Sequence, residues 1–273
     1  MKRIGSFIFL LAMCAVLNAQ TYKDYIDEAV AATNADSLSR AEQMYKKALE
    51  TDPTNSLNTM LFANLGTIQR RQGKTDAAID SYSLALNRMP LSIPILLNRA
   101  SLYLEKNLYG KALVDYCNVL DIDKKNEEAL IYRAYIYVEQ RKYKEARTDY
   151  ATLLQKDPEN KLGRLGLADL DEKEGRLHEA LEIYNRFIEE NPRDVSFLKA
   201  RANLEMEMDS PALALQDMET ALKINNADAD IYLLIGDIRM KMKNRKDAYA
   251  SYERAIKLGV PRPQIKERIK QFK

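Results

Sequence analysis

The sequence predicts an all-α fold, a solenoid of seven helical hairpins closed by a short final helix. Three observations predict it. Alanines recur at Ala41, Ala78, Ala112, Ala146, Ala180, Ala214 and Ala248, at intervals of 37 and then 34 five times. A column of small residues runs in step at Ala29, Gly66, Ala100, Ala134, Ala168, Ala202 and Gly236. Four residues after each recurring alanine stands a bulky one, Tyr45, Tyr82, Tyr116, Tyr150, Tyr184, Met218 and Tyr252, on nearly the same helix face. A period of this size belongs to stacked hairpins, each with one apolar face too many to hide alone.

Residues 59–92 show the unit most clearly. Phe62, Leu65, Gly66 and Gln69 follow helical spacing, Gly73 breaks that helix, and Ala78, Tyr82 and Ala85 mark a second helix before Pro90. This order of small, aromatic, small and proline resembles the tetratricopeptide repeat family over residues 22–260. Val119, Leu153 and Phe187 depart from it at the later small position, and Lys124, Asn226 and Val260 at the closing proline. The repeats are placed at about 22–55, 59–92, 93–126, 127–160, 161–194, 195–228 and 229–262. The resemblance implies a right-handed superhelix.

The first repeat is the divergent copy, with Glu28 where Leu65 stands in the second. Ser56, Leu57 and Asn58 lengthen its first interval and are expected to displace its docking slightly. Repeats two to six run without insertion. After the seventh, Pro261 and Pro263 stop the chain and residues 264–273 form a capping helix. Ile265, Ile269 and Phe272 share its apolar face, with Lys266, Arg268, Lys270 and Lys273 expected to turn to water. No linker-like composition divides the chain, so residues 20–273 read as one domain.

Residues 1–19 read as a signal peptide. Lys2 and Arg3 precede an apolar run, and cleavage is expected after Ala19. The run from Ile4 to Leu17 is short for a span of about 20 residues and contains Gly5, Ser6 and Cys14. Leu11-Ala12-Met13-Cys14 resembles a bacterial lipobox only faintly, because Met13 is larger than the small residue usual there. Export to the periplasm or the outer surface of a bacterial cell is therefore the expected localisation, ahead of a lipid anchor at Cys14. Cys117 is the one cysteine left after cleavage, so no disulfide can form within the mature monomer.

Without residues 1–19 the chain carries 40 basic and 40 acidic residues, which argues against a nucleic-acid partner. Residues 239–273 hold 12 Lys or Arg against 3 acids, a net of +9. Such an end suits an acidic partner or lipid headgroups, although interspersed charge on a solvated cap is the plainer reading.

The sequence assembles no catalytic centre. His178 is the only histidine and has no cysteine near it, so neither a histidine triad nor a metal site forms. Gly163 and Gly166 lie inside a helix without the strand and lysine of a phosphate loop. The acid pairs Asp121 with Asp123 and Asp228 with Asp230 fall in turns, where Asp and Asn cap the next helix.

The working part is therefore surface. In the family, unused residues of the first helices line a concave wall that holds peptides or partner helices. Here the resemblance places Leu97, Asn98, Ser101, Leu104, Ile131, Tyr132, Tyr135, Val138, Leu162 and Leu165 on that wall. Packing between repeats is the competing reading for several of them. Lys199 and Asn203 match the start of the family's carboxylate clamp, but Leu234 stands where its next Asn belongs. Met206, Met208, Met218, Met240 and Met242 form either an adaptable wall or core filling.

The function expected is a non-enzymatic scaffold in the cell envelope that holds a protein or peptide, with no metal and no cofactor. An envelope glycan-binding module and a self-assembling structural subunit are the alternatives, and a carboxylate-pair hydrolase is a weaker one. Membrane association is allowed but not required, and oligomeric state is left open.

Overall fold

The computed structural model describes residues 21–272, so the expected signal peptide, Cys14 and Lys273 lie outside the described residues. These residues form fifteen helices and no strand. Helix α1 covers 21–34 and pairs in sequence with α2 (Leu38–Thr51), and α3 (Asn58–Arg71) with α4 (Thr75–Arg88). Then follow α5 (Ile93–Glu105), α6 (Tyr109–Ile122), α7 (Glu127–Glu139) and α8 (Tyr143–Lys156). The remainder are α9 (Lys161–Lys173), α10 (Leu177–Glu190), α11 (Val195–Glu207), α12 (Pro211–Ile224), α13 (Ala229–Lys241), α14 (Arg245–Lys257) and α15 (Arg262–Lys270). Helices touch the ones next to them in sequence, as α2 does α3 and α9 does α10, which makes the chain an all-α solenoid of helical hairpins.

The chain divides into two compact units between Ile136 and Tyr137, inside α7. The boundary thus falls within a helix and marks no linker. In both units the two alanine-rich columns are buried, and the bulky column from Tyr45 to Tyr252 is buried with them. Where the small column is glycine the approach is closest: a Cβ on Gly66 would sit 2.8 Å from the Tyr82 ring, and one on Gly236 would sit 2.3 Å from that of Tyr252. Gly166 has the same purpose, lying 2.3 Å by that measure from Tyr150.

The departures at the later small position are compensated across the seam between hairpins. That position holds Ala85, Val119, Leu153, Phe187 and Ala221, while the residue ten further on is Ile95, Ala129, Gly163, Phe197 and Ile231. All ten are buried. Leu153 fills the place a Gly163 side chain would take, its Cδ2 only 2.9 Å from that Cβ position. Phe187 and Phe197 solve the large-on-large case by stacking, with centroids 3.7 Å apart.

Each hairpin turns through one left-handed residue. The column is Asp36, Gly73, Asn107, Arg141, Gly175, Asp209 and Lys243, with φ between 55° and 76°. The following amide closes back on the preceding helix, as Lys74 does on the Gln69 carbonyl at 2.9 Å and Lys142 on Tyr137 at 2.8 Å. Only Gly73 stood out in the sequence, because five of the seven positions use a residue with a side chain. Replacing Arg141 by Gly is expected to raise the unfolding free energy by about 1 kcal/mol, since the side chain contributes left-handed strain. A urea midpoint at or below that of the native protein would contradict this.

The inserted Asn58 is a joint. It is buried, gives Nδ2 to the Asp52 carbonyl at 2.7 Å and accepts the Tyr22 hydroxyl at 2.8 Å, tying α1 to the start of α3. At the other end α15 caps the last core: Ile265 is buried with Leu233, Met240 and Tyr252, and Ile269 and Phe272 pack on that cluster. Arg268 corrects an expectation, because it pairs with Asp237, which also accepts the Tyr252 hydroxyl at 2.8 Å. A half-buried carboxylate at the edge of the core draws this cation inward instead of leaving it to water.

Candidate functional site

The wall residues occupy equivalent positions on the first helices of successive hairpins, and the two units hold separate shares. In the first unit α5 supplies Leu97, Asn98, Ser101 and Leu104, and α7 supplies Ile131, Tyr132 and Tyr135. Tyr132 and Tyr135 are 38% and 42% exposed, which is high for rings inside a packed helical stack. Tyr132 lies on the buried Tyr116 ring at 5.8 Å with the planes 21° apart, so it is held by stacking while its outer face meets solvent. Leu97, Asn98, Ser101, Leu104 and Ile131 are half-buried.

Two polar side chains near this row went unnoticed in the sequence. Arg70, on α3 at the position equivalent to Leu104, reaches Asn98 Oδ1 at 3.3 Å and Glu105 at 2.9 Å. Asn98 gives its amide to the Pro94 carbonyl at 2.9 Å, and Ser101 gives its hydroxyl to the Asn98 carbonyl at 3.1 Å. Asn64, equivalent to Asn98, is exposed. The row thus runs from amides and a guanidinium on α3 and α5 to partly exposed tyrosines on α7. The buried Tyr116 hydroxyl finds no partner, and burial pushes it well above its ordinary value, so it stays protonated.

In the second unit the expected wall thins out. Val138 is a correction: at 5% exposure it belongs to the interior and presents nothing to a partner. Leu165 packs against the cluster around Tyr184 and Phe197, so inter-repeat packing claims it in part. Leu162 alone of these three is exposed. Of the methionines, Met218 and Met240 are core, Met206 and Met208 pack against it, and Met242 is exposed. Lys199, the clamp-like residue, is turned to Asp228 and Asp230 at 3.3 and 3.4 Å.

One member of each acid pair serves a turn, while Asp121 lies within α6 and Asp230 within α13, which corrects the expectation that both fall in turns. Asp123 accepts the Lys125 amide at 3.1 Å, and Asp228 accepts that of Asp230 at 2.9 Å and caps α13. His178 is exposed. No group of metal-binding side chains occurs among the described residues, nor is any described helix long and apolar enough to cross a membrane.

Inside each unit the hairpin is clasped by buried charge. Arg99 grips Asp115 with two bonds of 2.8 Å, and Arg201 grips Asp217 at 2.7 and 2.6 Å. The sequence signal was an Arg before the small column and an Asp before the bulky one, sixteen residues on; the fifth hairpin has Leu167 and Ile183 instead. In the first unit Glu42 is buried with Lys46 and Lys74 at 2.7 and 2.6 Å, and despite its burial those partners hold it down at about 2.

A tetratricopeptide repeat protein from Parabacteroides merdae superposes with a TM-score of 0.77 at 35% identity, over 93% of this chain and 99% of that one. The chain belongs to the tetratricopeptide repeat family. Models of the family match residues 137–204 and 229–258 directly. PilW, a type IV pilus biogenesis factor, shares the tetratricopeptide repeat fold with a TM-score of 0.61 at 19% identity, covering 72% of this chain and 91% of that one. Human DnaJ homolog subfamily C member 7 is 30% identical over 117 residues, 42% of this chain. This tetratricopeptide repeat chain spans 24% of that relative's length. Proteins of the tetratricopeptide repeat family are protein-interaction scaffolds.

Proposed function

We propose that the row on α3, α5 and α7 holds an extended peptide segment of a partner protein, and that the chain does so in the cell envelope after removal of residues 1–19. The observation that carries this reading is the pair of exposed rings, Tyr132 and Tyr135, beside a polar stretch formed by Asn64, Arg70 and Asn98. A peptide presents apolar side chains that cover tyrosine faces and backbone amides that pair with Asn and Arg. Tyrosine supplies this contact at small entropic cost, because few rotamers are lost on binding. No step of bond chemistry is required of the wall.

The test is a peptide-display selection on the native chain, repeated with Tyr132→Ala/Tyr135→Ala. Peptides enriched on the native protein are expected to bind the double variant at least about tenfold more weakly, as for aromatic anchors elsewhere. The variant should keep its helix content, since neither ring is buried. Equal affinity for both proteins would remove the site. Binding of an oligosaccharide panel, with no peptide selected, would favour the glycan reading.

A further inference from the structure

We propose that the turn between α13 and α14 is a docking surface for anionic phospholipid headgroups, distinct from the tyrosine row and independent of it. Residues 239–273 carry 12 cations and 3 acids, and four of those cations are held by carboxylates. Lys241 pairs with Asp209 at 3.1 Å, Arg262 with Glu253 at 3.2 Å and Lys270 with Glu267 at 2.7 Å, and Arg268 pairs with Asp237. Arg239 is spent on Ser251 at 2.9 Å, and Arg254 lies over the Tyr232 ring. Of the described lysines and arginines of this stretch left without a carboxylate or ring partner, Lys243, Arg245 and Lys246 crowd one turn, all exposed, while Lys257 and Lys266, also exposed, stand singly.

Two apolar side chains project among them. Met242 is 43% and Tyr249 49% exposed, and Tyr249 lies one helical turn from Arg245 and Lys246. Lys243 occupies the left-handed position that Asp36, Asn107, Asp209 or a glycine fills in most other hairpins, so a cation stands where backbone preference does not call for one. The one acid in the turn, Asp247, is engaged by Asn244, whose Nδ2 it accepts at 2.8 Å.

An exposed turn of this composition fits a planar charged sheet better than a peptide, which needs a groove to lie in. Lys and Arg meet phosphates at the headgroup level, while Met and Tyr enter the boundary with the acyl chains. No spanning helix is needed for such contact.

The experiment is co-sedimentation of the chain from Gln20 onward, which holds every described helix, with vesicles of phosphatidylcholine alone or with roughly one-third phosphatidylglycerol. The native protein is expected to bind only the anionic vesicles and to be released by high salt. Lys243→Gln/Arg245→Gln/Lys246→Gln should weaken binding roughly a hundredfold, each exposed cation near the surface contributing about fivefold. Met242→Ser/Tyr249→Ser should weaken it several-fold with the charge intact, whereas Lys257→Gln/Lys266→Gln should bind nearly as the native protein does. A melting curve shared by all three variants and the native chain guards against misfolding. The proposal is overturned if native protein ignores anionic vesicles, if the triple variant binds equally, or if immobilised polyglutamate captures the native protein while vesicles do not.

Discussion

Asp115→Ala is expected to cost about 3–5 kcal/mol of unfolding free energy. Asp115 is 1% exposed and its two oxygens take the whole fork of Arg99, whose remaining nitrogen bonds Ser83 at 2.9 Å. Removing the carboxylate leaves a guanidinium that is 19% exposed without its counter-charge. The chain itself contains the alternative, because the fifth hairpin places Leu167 and Ile183 at the same two positions. The double change Arg99→Leu/Asp115→Ile should therefore return to within about 1–2 kcal/mol of the native value, as apolar replacement of a buried pair is often neutral. Urea unfolding of the three proteins decides the matter. A double variant as damaged as the single one would mean that the shape of the pair, not its charge balance, holds the hairpin.

The second large effect is a pH slope set by Glu205. This residue is 7% exposed, its Oε2 has no hydrogen-bond partner, and burial followed by the Asp217 charge pushes it up to about 7 against the pull of Arg201. Arg201 has little to offer it, since two of its nitrogens hold Asp217 and the third holds Asn185 at 2.6 Å. The folded chain therefore binds this proton more tightly than the unfolded chain does. Its stabilising contribution is complete below the unfolded value near 4.5 and disappears as pH rises through 7, a difference of about 3 kcal/mol. Glu205→Gln should remove that slope and be the more stable protein at pH 8. Parallel stability profiles for the two proteins between pH 5 and 8 would clear Glu205 of the effect.

Much of the fold was legible because the signal repeated. An alanine every 34 residues faces the same neighbours each time, so the columns at Ala78 and Gly66 mark both helices and their contact in the sequence itself. What a column hid was any position filled by different residues for one purpose. The left-handed turn is the clearest instance: Asp36, Gly73, Arg141 and Lys243 share a backbone angle and nothing else. Arg268 was misplaced for another reason, since its partner Asp237 lies 31 residues away on a helix that only the folded chain brings near. The candidate wall was legible in part. Tyr132 and Tyr135 kept their exposed faces, but Val138 obeys the same spacing and is buried, because whether an apolar first-helix residue faces solvent or its neighbour depends on packing that spacing alone does not encode. Arg70 was missed since its equivalents are leucine and valine, Leu104 and Val138.

The paired sizes across the seams carry a consequence for how such a chain can be rearranged. Leu153 fills the space beside Gly163 and Phe187 stacks on Phe197, while the same two positions hold Ala85 and Ile95 earlier in the repeat order, so each joint is cut to its own pattern although every segment has the same length. Transplanting the fifth hairpin to follow the second would set Gly163 opposite Ala85 and leave a hole, and the reverse exchange would drive Ile95 into Leu153. The segments look like identical beads, but they thread in one order.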